Sequence, residues 1–137
     1  MIVLDTNVVS ELMKAAPSEA VRDWLTGVDD RFLTTIAVTV AEIEFGLRRL
    51  PAGRRRAELE ARFQAFTAAI GVLPLDELAA TRAGRMRADR ESAGLSSHPS
   101  DMMIAGIAAA AGAALATRNV KDFAGLDLDV RDPWAGR

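Results

Sequence analysis

The sequence predicts an α/β fold with a mainly parallel central sheet covered by helices on both faces. Short apolar runs alternate along the chain with longer segments whose apolar residues recur every three to four positions, the pattern of strands joined by right-handed helical crossovers. The first run, "IVL" at positions 2–4, has no polar alternation and is rich in β-branched residues, as expected of a strand buried on both faces. With 137 residues, half of them hydrophobic, the chain has room for a real core and is read as a single domain, 1–137.

The elements follow in order. After the first strand, "NVVSELMK" reads as a short helix that ends before Pro17. Ser18 is placed as the N-cap of a second helix, marked by Val21, Trp24 and Leu25 and stopping near Gly27. "RFLTT" is a short strand. From 36 to 50 the apolar positions 36, 40, 43, 47 and 50 form a helical stripe. A turn at 51–53 leads into a longer helix over about 55–69, with Leu59, Phe63 and Phe66 directed inward. "GVLPL" is the next strand, and Asp76 starts a helix that ends near Gly94. "SSHPSD" is loop and helix-start chemistry, an Ala-rich helix runs from about Ser100 to Gly112, "ALAT" is a strand, and "LDLDV" is read as the last one.

Composition excludes several function classes. The absence of cysteine removes disulfides and thiolate metal sites and fits a reducing compartment. No basic region precedes the first apolar run, and Asp5 interrupts it too early for a signal peptide, so the expected location is the cytoplasm. The uncharged stretch 102–116 is 15 residues long, short of the roughly 20 needed to cross a bilayer. Net charge is only −2, yet positions 48–90 hold ten arginines against five acids. Such an excess suits phosphate contact, although charged helices also simply face solvent, and Glu58 with Arg62 has the spacing of a local pair.

Asp5 stands at the carboxyl end of the first strand, the edge where ligands bind in open α/β sheets, although Asp there also caps helices. "ALAT" delivers "RNVKD" at the same edge. Asp101 lies in the first turn of the helix before "ALAT", and that helix runs antiparallel to the strands, so its N-terminus meets the same rim. An acid in a first turn also compensates the helix dipole, but several carboxylates on one rim repel each other unless a cation neutralises them. In "TVAEIEFGLRRL", Glu44 has Arg48 four residues on and reads as a solvated pair, whereas Glu42 has apolar or small neighbours and is the better site candidate. Asp5, Glu42, Asp101 and either Asn119 or Asp122 would form an all-oxygen cluster. Such donors favour Mg²⁺ or Mn²⁺, and the implied chemistry is phosphoryl transfer by metal-activated water.

"MIVLDTNVVSE", "TVAEIEFGL", "SDMMIAGIA" and "LATRNVKDF" together resemble, in order and spacing, the four blocks of the PIN-domain family, in particular its VapC-like toxins of type II toxin–antitoxin pairs. The resemblance covers essentially the whole chain. It implies a three-layer α/β/α sandwich and a Mg²⁺- or Mn²⁺-dependent endoribonuclease that inhibits translation. It also implies a homodimer neutralised by a small cognate antitoxin. By the same resemblance Asp5 and Asp101 match the principal metal ligands and Glu42 the second acid. Thr6 and Asn7 match residues that hold the first acid, and Ser10 a polar position beside the site. Many family members have Asp where this chain has Asn119, so the fourth position is shared between Asn119 and Asp122. Arg118, in the same turn, is a candidate phosphate contact or a structural partner of a nearby carboxylate.

Two other readings compete. A phosphoaspartyl phosphotransfer domain also places Asp after its first strand, but one such pattern wants a second Asp at position 7, which is Asn7, and receiver domains place the acceptor after a later strand. A catalytically inactive RNA-binding module of the same fold would keep the arginine-rich helices without needing Asp5, Glu42 and Asp101 as a set. His98 is read as a surface loop residue and Trp134 as packing or interface.

Overall fold

The computed structural model describes residues 1–136. Five strands form one sheet in the order β3-β2-β1-β4-β5, with β1 Ile2–Leu4, β2 Leu33–Ile36, β3 Val72–Leu73, β4 Ala114–Ala116 and β5 Val130–Arg131. Every pairing is parallel: Ile2 lies opposite Leu33 on one side and Ala114 on the other. Among the described residues six α-helices supply the crossovers up to β4, α1 Thr6–Leu12, α2 Glu19–Thr26, α3 Ala37–Arg49, α4 Arg54–Ile70, α5 Glu77–Ser92 and α6 Pro99–Ala110, and a 3-10 turn lies between β4 and β5.

Successive side chains of a strand point to opposite faces, and here they feed two separate cores. Val3, Ile36 and Leu115 pack with Ala79 of α5 and with Met102, Ile104, Ala105 and Ile107 of α6. Ile2, Leu4, Leu33, Ala114 and Ala116 pack against Val8 and Val9 of α1, Ile43 and Leu47 of α3 and Phe63 of α4. The result is the predicted three-layer α/β/α sandwich, with both sheet faces covered. The central strands therefore carry apolar residues, or threonines turned inward, at every position.

Several boundaries differ from the sequence reading. Arg31 and Phe32 belong to a 3-10 turn, Asp30–Phe32, and β2 runs on to Ile36 instead. Pro74 cannot donate to a ladder, so "GVLPL" contributes only Val72 and Leu73. "LDLDV" pairs only from Val130 onward, with Arg131 as its second residue, although Leu126, Leu128 and Val130 all pack against the same core. Ser18 is the N-cap of α2 but makes no side-chain cap; its backbone N–H donates to the Glu11 carboxylate at 2.9 Å. Asp76 caps α5 as expected, accepting from Ala79 N–H at 2.9 Å.

The chain moves from β1 outward through β2 to β3, then returns to place β4 on the other side of β1. The two connections leaving β1 and β4 at their carboxyl ends therefore diverge and leave a crevice between them. Asp5 N–H donates to the Ala116 carbonyl at 3.0 Å, tying that crevice shut at its base.

Candidate active site

Asp5 stands on this switch point, 4% exposed. It is the N-cap of α1, and its Oδ1 accepts from Thr6 N–H at 2.7 Å. Its Oδ2 accepts from the hydroxyl of Thr117, the first residue beyond β4, at 2.8 Å. The helix-cap reading and the site reading of Asp5 thus describe one geometry. Asn7 bridges the same two segments. Its Nδ2 donates to Thr117 Oγ1 at 3.3 Å and reaches Asp5 Oδ2 at 3.5 Å, while its Oδ1 accepts from Arg118 N–H at 3.2 Å.

Thr117 is a site-forming residue that the sequence reading did not single out. Its hydroxyl hydrogen goes to Asp5, and its oxygen accepts from Asn7 and, at 3.1 Å, from Asn119 N–H. The available signal was its position: a hydroxyl residue ending the strand that neighbours β1.

Thr6 does more than donate its backbone N–H to Asp5. Its hydroxyl donates to Glu42 Oε1 at 2.7 Å and lies 3.1 Å from the hydroxyl of buried Thr39. Glu42 projects from the middle of α3 into the crevice through this bond. Glu44 is exposed, as Glu42 is, and has no such bond among the described residues. Its expected pair with Arg48 is not among the ion pairs of the described residues; the nearby guanidinium of Arg49 lies over the Phe45 ring at 5.4 Å. The expected Glu58–Arg62 pair is likewise replaced: Glu58 faces Arg54, and Arg62 donates to the Met13 carbonyl at 3.0 Å.

Asp101 enters from the first turn of α6, half-buried. The fourth acid is Asp122, half-buried in a 3-10 turn, Val120–Phe123, and near enough to Asp101 to disfavour its ionisation. Asn119 is exposed and engages through its backbone N–H. Asp5, Glu42, Asp101 and Asp122 therefore converge from four segments on the carboxyl edge of the sheet. None of them is in an ion pair among the described residues.

Electrostatics follow from that convergence. Burial pushes the Asp5 carboxyl up to about 6, against the opposing effect of the Thr117 and Thr6 hydrogen bonds, and the Asp101 and Glu42 charges raise it further. Asp101 is raised as well, by desolvation first and then by Asp122, with His98 acting in the opposite direction. Among the described residues no three acids already stand at the spacing of a ready-made ligand set.

The sign of the linked stability is fixed. The folded state holds the Asp5 proton up to about pH 6, whereas the unfolded chain releases it near 3.8. Metal-free protein accordingly loses stability as pH rises between those values, on the order of 3 kcal/mol from this group. Urea titrations of wild type and Asp5→Asn from pH 4 to 7.5 read the difference directly. Parallel curves for the two proteins would mean that Asp5 is not the strained group.

Other candidates occupy the periphery. Ser10 is exposed on α1 and, with Thr6 and Glu42, lines one end of a cleft of about 300 Å³ whose floor includes Met13, Ile43, Leu47, Leu50 and Leu59. Arg118 is exposed, stacks on Trp134 at 5.0 Å and lies close enough to Glu11 to help lower that carboxyl. His98 is exposed at the N-cap of α6. Arg90, counted in sequence among the arginines of a charged surface, is 4% exposed. It shares the inner stripe of α5 with Ala79, Ala83 and Met86.

The model of the PIN domain matches residues 2–127. The chain belongs to the PIN-domain family. Among PIN relatives, VapC ribonuclease Y4jK of Sinorhizobium fredii is 40% identical over 137 residues, covering 98% of each chain. The tRNA(fMet)-specific endonuclease VapC of Shigella flexneri is 31% identical over 120 residues, covering 88% of this chain and 87% of that one. In three dimensions the chain is similar to a chain of the solved structure of FitAB bound to IR36 DNA fragment. That match has a TM-score of 0.91 and 32% identity, covering 98% of this chain and 96% of the other. No helix among the described residues is long and apolar enough to cross a membrane.

Proposed function

We propose that this PIN domain is a Mg²⁺- or Mn²⁺-dependent endoribonuclease acting as the toxin of a type II toxin–antitoxin pair, in the cytoplasm, where RNA cleavage inhibits translation. The observation that carries the reading is the convergence of Asp5, Glu42, Asp101 and Asp122 on the switch-point crevice with no cation paired to them. Carboxylates left in that state call for a positive charge, and an all-oxygen donor set fits a hard divalent ion. Mg²⁺ commonly takes one or two carboxylates and completes its shell with water and substrate phosphate, so a set of three prepositioned acids is not required. Asp5 and Asp101 would hold it with Glu42, and Asp122 rather than Asn119 would supply the fourth charge. When bound, the ion supplies an activated water and charge stabilisation for in-line phosphodiester hydrolysis.

The chain's own residues do the positioning. Thr117 and Thr6 N–H fix both oxygens of Asp5, so its carboxylate cannot rotate. The Thr6 hydroxyl holds Glu42 at the crevice. RNA as substrate is supported by the ribonuclease and tRNA endonuclease relatives, and an antitoxin partner by the likeness to the FitAB complex. The apolar floor of the cleft beside Glu42 suits an apolar segment of such a partner. A homodimer is in keeping with the exposed Leu75 and Met103, which line a second cleft between α5 and α6.

The test incubates purified, partner-free protein with end-labelled total RNA and single-stranded DNA, with Mg²⁺ or Mn²⁺ and with EDTA. Discrete RNA cuts that require the metal are expected; tight RNA binding without cuts would replace this reading with an inactive binding module. In the same assay Glu42→Gln is expected to lower cleavage at least about tenfold while Glu44→Gln leaves it near wild type. Equal losses would undo the choice between the two glutamates.

A further inference from the structure

Arg90 is a buried cation with no carboxylate ion-paired to it among the described residues. Its Nε donates to the Ser96 carbonyl at 2.7 Å, and its Nη1 donates to the Ala124 carbonyl. Ser96 lies in the loop that leads into α6 and Asp101. Ala124 immediately follows the 3-10 turn that carries Asp122. One planar guanidinium therefore joins the two segments that bring in the two acids on this side of the crevice.

Burying a guanidinium is costly, and its hydrogen bonds to two neutral carbonyls only partly compensate. Packing alone gives no reason for a permanent charge at this place on α5, since the neighbouring inner positions are Ala79, Ala83 and Met86. The two carbonyls do give one, because they belong to different segments and a single planar guanidinium can donate to both at once.

We propose that Arg90 is a positioning residue of the acidic centre, which clamps the Asp101 and Asp122 segments at a fixed separation and so holds their carboxylates in place for divalent-cation binding. The proposal rests on the metal-dependent reading above. A lysine at 90 retains the charge but lacks the planar fork that spans both carbonyls, and a methionine retains neither.

The experiment measures Mn²⁺ binding by titration calorimetry, together with the Mn²⁺-induced rise in melting temperature. It compares full-length wild type, Asp5→Asn, Arg90→Lys, Arg90→Met and Phe63→Leu. Phe63 is buried in the core on the opposite face of the sheet, so that variant reports the effect of general destabilisation. Arg90→Met is expected to weaken Mn²⁺ binding by about 10- to 100-fold, the range seen when groups that orient metal ligands are removed. Arg90→Lys should fall between Met and wild type, and Phe63→Leu should bind as wild type does. Arg90 variants that lose melting temperature as Phe63→Leu does, yet bind Mn²⁺ like wild type, would leave Arg90 a stabilising residue with no hold on the acids and overturn the proposal. Wild type that binds no better than Asp5→Asn would overturn the metal-dependent reading itself, and this inference with it.

Discussion

Replacing Asp5 with Asn is expected to lower the proposed metal-dependent RNA cleavage by at least about a hundredfold while the protein keeps its fold. Asn has nearly the same shape, so Oδ1 still accepts from Thr6 N–H and the α1 cap survives. The charge does not. Asp5 is the most enclosed of the four acids and the one whose two oxygens are both fixed, by Thr6 and Thr117, which makes it the reference point for the rest of the site. Asp101→Asn is expected to have a loss of the same order, since Asp101 brings the facing charge from α6. Cleavage per folded molecule, with circular dichroism as the control for folding, decides the matter. Full metal-dependent cleavage by both variants would sink the assignment of the site.

The second large effect concerns stability. Gly106 lies where α6 crosses α5, and a Cβ there would stand 2.4 Å from the Ala79 carbonyl oxygen and 2.8 Å from the Ala83 Cβ. Neither atom is the end of a flexible side chain. The two helices must therefore separate to admit any larger residue. Gly106→Val is expected to destabilise the protein by about 3 kcal/mol, at the upper end for overpacked cores, and to lower the melting temperature by roughly 10 °C. Differential scanning calorimetry measures both. A melting temperature within a degree or two of wild type would mean that the α5–α6 contact is much looser than the structure describes.

Which parts of this were legible in the sequence depends on the range of the interactions involved. Asp5, Glu42 and Asp101 could be singled out because each sits where local rules say something: the end of an apolar run, a helix position with apolar or small neighbours and no basic partner, a first turn. The choice of Glu42 over Glu44 rested on neighbours three and four residues away, and the structure does bring Glu42, not Glu44, to Thr6. Thr117 escaped because its importance comes from Asp5, 112 positions earlier in the chain. The choice between Asn119 and Asp122 stayed open for a related reason. A 3-10 turn rotates side chains differently from a strand extension, and only the folded turn sets Asp122 beside Asp101.

Arg90 shows the opposite failure. Its spacing from Ala79, Ala83 and Met86 marked the inner face of α5, but counting it with nine other arginines as surface charge concealed that. The expected Glu44–Arg48 and Glu58–Arg62 pairs failed for a simpler reason: exposed side chains four residues apart gain only a few tenths of a kcal/mol by pairing, and any competing contact redirects them.

The pairing of β1 with β4 joins Ile2 to Ala114 and Leu4 to Ala116, so the first and last thirds of the chain meet at the reactive edge. As the polypeptide is made from its N-terminus, Asp5 emerges early and waits as a lone carboxylate, without the Thr117 hydroxyl, Asp101 or Asp122. No truncated product ending before residue 117 contains the assembled centre. The centre is thus an all-or-none product of long-range pairing: it exists only once β1 and β4 lie side by side, and no fragment holding one of these strands without the other contains it.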